Sequence, residues 1–248
     1  FVLRDLGNQL PLQHYAALTA PTQFFGALLS AISKAKDELV TPADYRALAE
    51  AGADGEARGK ALEVAAVYAL YQAELERRQD ADYGDLIRLT VRLFGEQPDV
   101  LATVREKYAH LLVDEFQDIN RANGILLRHL AGPAGNIWAV GDANQAIYRF
   151  RGASPANIAN FTADYPGARV LPLDQNYRSR PAIIAAANRF ADAQLRRGKN
   201  PALVELRATR PTAPEAVRAQ IAPDGASEIA ALAADIRQRH AAGLAWRD

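Results

Sequence analysis

Apolar residues recur at two different spacings along this chain, and the change between them divides it. Through the first 80 residues the spacing is helical. In "ALEVAAVYALYQAELERR", Val64, Val67, Tyr68, Tyr71 and Leu75 follow the i, i+3, i+4, i+7, i+11 template, which gathers them on one face and leaves Glu and Arg on the other. Just before it, "TPADYRALAEAG" predicts a shorter helix with Thr41 as N-cap, Pro42 in the first position and Gly52 as the stop. The turn-like "AGADGEARG" separates the two. After "RRQDADYGD" and the amphipathic "LIRLTVRLF", three short apolar runs follow: "LLV" at 111–113, "NIWAV" at 136–140 and "RVLPL" at 169–173. Each is too short for a helix of its own, and the segments between them, "NRANGILLRHLA" and "SPANIANFTADY", read as helices, the second with Ser154 placed to cap and Pro155 in its first turn. Strands alternating with helices predict parallel βαβ units and a doubly wound sheet, whose ligand crevice lies at the carboxyl ends of the strands. The last part predicts a helix from "RPAIIAAANRFADAQLRR", a strand from "AVRAQIAP", and a helix in "SEIAALAADIRQRHAAG" with Ile229, Leu232, Ala233 and Ile236 on one face.

Composition narrows the class without naming it. A chain of 248 residues buries a sizeable core as one large domain or two smaller ones, and 49% hydrophobic with 23% charged residues is globular rather than disordered. Lys plus Arg (29) equal Asp plus Glu (29), so any binding of nucleic acid has to come from a local patch. The absence of cysteine excludes disulfides and thiolate metal sites, and the scattered His14, His110, His129 and His240 read as surface or packing residues. No apolar run reaches the ~18 residues of a membrane span, and the start carries no basic leader. With Phe1 at its start and no methionine anywhere, the chain is expected to be a piece of a longer protein.

Candidate chemistry collects at the ends of the predicted strands. "YAHLLVDEFQD" sets Asp114 and Glu115 directly after the first run. Two adjacent acids there can divide phosphoanhydride hydrolysis, one holding Mg²⁺ through water and the other orienting or deprotonating the attacking water. Acids also favour helix N-termini, so a solvated helix start explains the pair equally well. "VGDANQAIYRFRGA" follows the second run: Asp142 and Gln145 would lie beside the acids, and Gln145 can donate to a phosphate oxygen without adding charge. Tyr148, Arg149, Phe150 and Arg151 interleave π faces with cations, which suits stacking on bases and pairing with phosphates, although core packing is the commoner fate of an aromatic near a strand end. In "LDQNYRSRP", Arg178 offers a planar fork for a γ-phosphate and Tyr177 a face for a purine; a capping arginine and a packing tyrosine would look the same.

Order and spacing unite these signals. "VDEFQD", "VGDANQAIYRFRGA" and "LDQNYRS" closely resemble motifs II, III and IV of superfamily 1 DNA helicases of the UvrD/Rep/PcrA type, and "DYGDLI" resembles the "DFDDL" element upstream of motif II. The resemblance implies an α/β fold with a RecA-like parallel sheet of the P-loop NTPase type and an N-terminal helical insertion subdomain, truncated at both ends. Residues 1–80 would be that insertion, 81–180 the remaining half of the first motor domain, and 181–248 the start of the second. It further implies that Asp114 is the Mg²⁺ carboxylate, Glu115 the general base, Gln145 the γ-phosphate sensor, Arg178 an arginine finger and Tyr177 a stacking platform for adenine. Tyr148, Phe150 and Arg151 would face single-stranded DNA, with Phe150 where the family commonly has tryptophan and Asn144 where it commonly has Asp. The implied parent uses ATP and Mg²⁺ to move 3′ to 5′ on single-stranded DNA in the bacterial cytoplasm, associated with the nucleoid.

One element of such a motor does not occur in the 248 residues. The phosphate-cradling loop G-x-x-x-x-G-K-[ST] fails at both Gly-Lys pairs: Gly59-Lys60 is followed by Ala61 and has Asp54 at the first glycine position, and Gly198-Lys199 is followed by Asn200 and has Ala193 there. The chain alone is therefore expected to be inactive. A non-catalytic DNA-binding or interaction module derived from a helicase, and the helicase part of a recombination helicase-nuclease, share the same motifs.

Overall fold

A computed structural model describes residues 2–15, 22–52, 54–133, 135–146, 156–195, 204–212, 217 and 219–246. The chain divides into two compact units, Phe1–Leu171 with Asn200–Leu203, and Pro172–Lys199 with Val204–Asp248.

Among the described residues the first unit begins with six α-helices: α1 (Val2–Leu6), α2 (Phe25–Asp37), α3 (Pro42–Ala51), α4 (Glu56–Arg78), α5 (Tyr83–Glu96) and α6 (Pro98–Lys107). The start of α3 is closed by a capping box, in which the Thr41 hydroxyl accepts from the Asp44 N–H at 3.2 Å and the Asp44 carboxylate accepts from the Thr41 N–H at 3.1 Å. Pro42 fills the first turn and Gly52 follows the last, as the sequence predicts. On α4 the predicted stripe of Val64, Val67, Tyr68, Tyr71 and Leu75 is buried throughout, packed with Leu3 and Leu6 of α1 and Leu28 and Ile32 of α2. Tyr68, fully buried, donates its hydroxyl to the Val40 carbonyl at 3.1 Å, and burial pushes its phenol up to about 12.

A charge cluster closes this core. Lys36, whose side chain is 0% exposed, places Nζ 2.7 Å from Asp82 and 2.8 Å from Asp85. Asp82 also caps α5 by accepting from the Asp85 N–H at 2.8 Å and takes the Tyr71 hydroxyl at 3.0 Å; Arg88 adds a second cation 3.0 Å from Asp85. Buried acids are tolerated only when paired and hydrogen-bonded in this way. Through this cluster the "DYGDLI" segment fastens α5 to α2.

Beyond the helices, β1 (Leu111–Val113), α7 (Arg121–Ala131) and β2 (Ile137–Ala139) form a parallel βαβ unit with Leu111 opposite Ile137, Leu112 opposite Trp138 and Val113 opposite Ala139, followed by α8 (Ala156–Asp164). Two of the three predicted strands are thus present. The third is not: 169–173 makes no ladder, Pro172 has no N–H to give, and Val170, Leu171 and Leu173 are exposed.

In the second unit, β3 (Gln175–Asn176) pairs in parallel with β4 (Arg207–Ala208), a strand that the apolar pattern did not predict. Between them lies α9 (Pro181–Phe190), continued by a wider π turn at Ala191–Leu195. The Asn188 amide clamps the Leu206 backbone in both directions, donating at 2.8 Å and accepting at 3.1 Å. The described residues of 216–223 form no strand. In α10 (Gly225–Ala241) the predicted stripe exists as a face, but Ile229, Leu232 and Ile236 are exposed. The described chain is mixed α/β, with short, two-stranded parallel sheets.

Candidate functional site

The register of β1 and β2 brings their carboxyl ends out side by side. Lacing continues past the strands: the Val140 N–H donates to the Val113 carbonyl at 2.8 Å and the Phe116 N–H to the Val140 carbonyl at 2.9 Å. Between these bonds the chain turns sharply at Glu115, whose backbone is left-handed at φ 51°, ψ 42°. A side chain in that region costs about 1–2 kcal/mol, so the turn has to be held by its neighbours. Phe116 holds it from inside, buried and packed edge-to-face on Phe161 of α8 with ring centroids 5.1 Å apart. Asn120 and Asn157 fasten the segment after the turn, Asn120 to Asp37 at 2.7 Å and Asn157 to the Ile119 carbonyl at 2.7 Å.

The left-handed turn sorts the side chains of "DEFQD". Asp114 and Glu115 face outward and are exposed; Phe116 and Gln117 face inward and are buried. The amide of Gln117 then spans the two strand ends: Nε2 donates to the Glu115 carboxylate at 2.6 Å, and Oε1 accepts from the Asp142 N–H at 2.9 Å. Gly141 permits this approach, since a Cβ there would lie 2.8 Å from Gln117 Oε1. Asp142 carries the connection on, accepting from the Asn144 N–H at 2.9 Å and from the Gln145 side-chain amide at 3.0 Å. A continuous path of hydrogen bonds therefore runs Glu115, Gln117, Asp142, Gln145. Close by in the sequence, Asp118 Oδ1 and Asn144 Oδ1 are buried without a hydrogen-bond partner among the described residues.

One Asp114 oxygen accepts from the Glu115 N–H at 2.9 Å, and the carboxylate is otherwise open to solvent. Among the described residues no group of three His, Cys, Asp or Glu converges as a metal cage. Hard carboxylate oxygens on an open rim, without a full set of protein ligands, fit Mg²⁺ shared with water and phosphate.

Of the residues singled out in the sequence, the structure brings Asp114, Glu115 and Gln145 together on these two loops. Tyr177 and Arg178 belong to the second unit, just after β3, where Asn176 Oδ1 accepts from the N–H groups of Arg178 at 3.1 Å and Ser179 at 2.7 Å; both side chains are exposed. Tyr148, Phe150 and Arg151 lie outside the described residues, as do Ser154 and Pro155. Sequence reasoning passed over Gln117. Its only signal was a place two residues after Glu115, which does not show that the turn points it inward.

The model of the UvrD/REP helicase N-terminal domain family matches residues 5–166. The chain belongs to this family. Among curated UvrD/REP relatives it is similar to the ATP-dependent DNA helicase PcrA of Leuconostoc citreum, 46% identical over 161 residues (65% of this chain, 21% of the relative). The PcrA of Bacillus subtilis is 43% identical over 162 residues with the same coverage. The ATP-dependent DNA helicase UvrD1 of Mycobacterium bovis is 42% identical over 168 residues, again 65% of this chain and 21% of the relative. The chain spans about a fifth of the length of the UvrD/REP relatives it matches.

Proposed function

We propose that this chain is the central part of an ATP-dependent DNA helicase that moves 3′ to 5′ on single-stranded DNA in the bacterial cytoplasm. The observation that carries the reading is the meeting of the β1 and β2 ends, where two outward carboxylates and the Gln145 loop are laced together in a chain of the UvrD/REP family. In this reading the sheet is RecA-like and wider than two strands. Its exposed Leu112 and Trp138 support that, because parallel sheets are ordinarily covered on both faces. Residues 1–80 are the helical insertion, 81–180 the remainder of the first motor domain, and 181–248 the start of the second.

Mg²⁺, when bound with ATP, neutralises charge on the phosphates. Asp114 would hold the ion. Glu115, turned outward by its left-handed backbone, takes the proton of the attacking water. Gln145 donates its amide to the γ-phosphate and keeps the loop in step with the acids, Arg178 stabilises charge as an arginine finger, and Tyr177 stacks on adenine. Tyr148, Phe150 and Arg151, which follow in the sequence, contact single-stranded DNA, so that one segment senses nucleotide and strand. The 248 residues contain no Gly-Lys-Thr or Gly-Lys-Ser phosphate loop, so this chain by itself does not turn ATP over.

In the full-length protein, Glu115→Gln is expected to abolish steady-state DNA-stimulated ATP hydrolysis while nucleotide and DNA still bind. Wild-type turnover in that variant would refute Glu115 as the base.

A further inference from the structure

A polar contact between the two strand-end loops is made by a residue to which no step has been given. Gln117 is 1% exposed, and both ends of its amide are committed, Nε2 to the Glu115 carboxylate at 2.6 Å and Oε1 to the Asp142 N–H at 2.9 Å. The orientation of the amide is fixed by its neighbours. Flipped, it would set oxygen against a carboxylate and NH₂ against an N–H, two repulsive pairings in a buried place. The side chain therefore reads an acceptor on one loop and a donor on the other, and it satisfies both only while the loops keep their present offset.

Two further features show that this offset is held closely. Glu115 occupies a left-handed backbone that its own side chain disfavours, and Gly141 leaves so little room that a methyl group would collide with Gln117 Oε1. Through Asp142, the far end of the contact reaches the Gln145 amide at 3.0 Å. A movement of the 141–145 loop relative to the Glu115 turn pulls on the Glu115 carboxylate or breaks a part-buried hydrogen bond.

We infer that Gln117 is a positioning residue for hydrolysis: its buried amide sets the Glu115 carboxylate in register with the Gln145 loop, so that the base is aligned only when that loop is in place. The inference rests on the reading of Glu115 as the base. Gln117 touches no nucleotide itself, and its effect passes through Glu115. Misplacing a reacting group by about 1 Å costs on the order of a hundredfold in rate.

The test uses the full-length protein and DNA-stimulated ATP hydrolysis. Gln117→Met keeps an unbranched side chain of similar length and removes both hydrogen bonds; kcat should fall roughly ten- to a hundredfold while KM for ATP and affinity for single-stranded DNA stay within about threefold. Gly141→Ala pushes the amide from the opposite side without deleting it, and should lower kcat in the same direction; it serves if Gln117→Met reduces the yield of folded protein. The decisive comparison is single-turnover hydrolysis in the Glu115→Gln background. There, Gln117→Met should add no further loss, because its effect is routed through the missing carboxylate, whereas a merely structural role would add its loss in full. Unchanged kcat in Gln117→Met or in Gly141→Ala, or full additivity with Glu115→Gln, overturns the inference. Wild-type turnover in Glu115→Gln would instead remove the base assignment on which it stands.

Discussion

The helical core around α4 and the strand-end loops after β1 and β2 solve opposite problems. In the core, Tyr68, Val67, Leu28 and Ile32 are almost wholly removed from water, and even a charge is internal, with Lys36 fully enclosed and paired to the buried Asp85 and the half-buried Asp82. At the strand ends the order is reversed: Asp114, Glu115 and Gln145 are exposed, the backbone of Glu115 is strained, and two residues, Phe116 and Gln117, anchor the first turn from within. The difference teaches where each free energy resides. Stability is concentrated in side-chain burial among helices, and the loops proposed to carry chemistry are held by a few directed contacts.

The sharpest way to break that comparison is to remove one member of the internal charge cluster. Lys36→Met leaves Asp82 and Asp85 without their shared cation, and breaking a buried pair from one side costs about 3–5 kcal/mol. A denaturant titration should show the midpoint falling with little change in slope. A loss no larger than that of an exposed pair would mean that the cluster is hydrated and the core less closed than it looks.

The same cluster contributes to the response to acid. Burial is the largest influence on Asp85 and pushes its carboxyl up, but hydrogen bonds and charges from Lys36 and Arg88 together outweigh it and hold the group below its ordinary 3.8. A folded-state value lower than the unfolded one means that the carboxylate contributes stability at pH above the unfolded value and surrenders it as pH falls through the folded one. Unfolding free energy followed downward from about pH 5 should therefore drop below about pH 4, and Lys36→Met should flatten that limb.

A smaller effect probes the core at a neutral contact. Tyr68→Phe deletes the hydroxyl that reaches Val40 at 3.1 Å and keeps the ring, so it should cost about 1 kcal/mol, measured by the same titration. A neutral result would assign the whole contribution of Tyr68 to its ring.

Legibility in the sequence divides along the same line. The stripe on α4, the Thr41 cap and the first two strands were readable because each is written in residues close together in the chain. The strand expected at 169–173 failed because apolar content alone does not form a ladder; Pro172 lacks a donor, and the pairing passed instead to Gln175–Asn176 and Arg207–Ala208. The α10 stripe shows a related limit, since a period identifies the face of a helix without showing that anything covers it. Lys36 and Gln117 were invisible for another reason. Lys36 meets Asp82 across 46 positions, and Gln117 meets Asp142 across 25, so neither contact leaves a local pattern. In the candidate site, residue types and order pointed to Asp114, Glu115 and Gln145, but the amide that joins Glu115 to the Asp142 loop could be found only once the turn at Glu115 had been seen.

The smallest expected effect sharpens the comparison most. Leu112 and Trp138 stand opposite each other on one face of the β1–β2 pair, 81% and 58% exposed. Trp138→Thr keeps a residue that favours strands and removes aromatic area already in water, so the unfolding free energy of this chain should change by less than about 0.5 kcal/mol. In the full-length protein, where we propose a wider sheet covered on both faces, the same substitution should cost several times as much, because there it would empty a packed site. Equal small losses in both would leave the β1–β2 face uncovered in the parent and count against the RecA-like reading. A large loss in the chain alone, dependent on its concentration, would show that the chain already covers this face by associating with itself, and the contrast between a closed core and an open sheet would then hold for the monomer only.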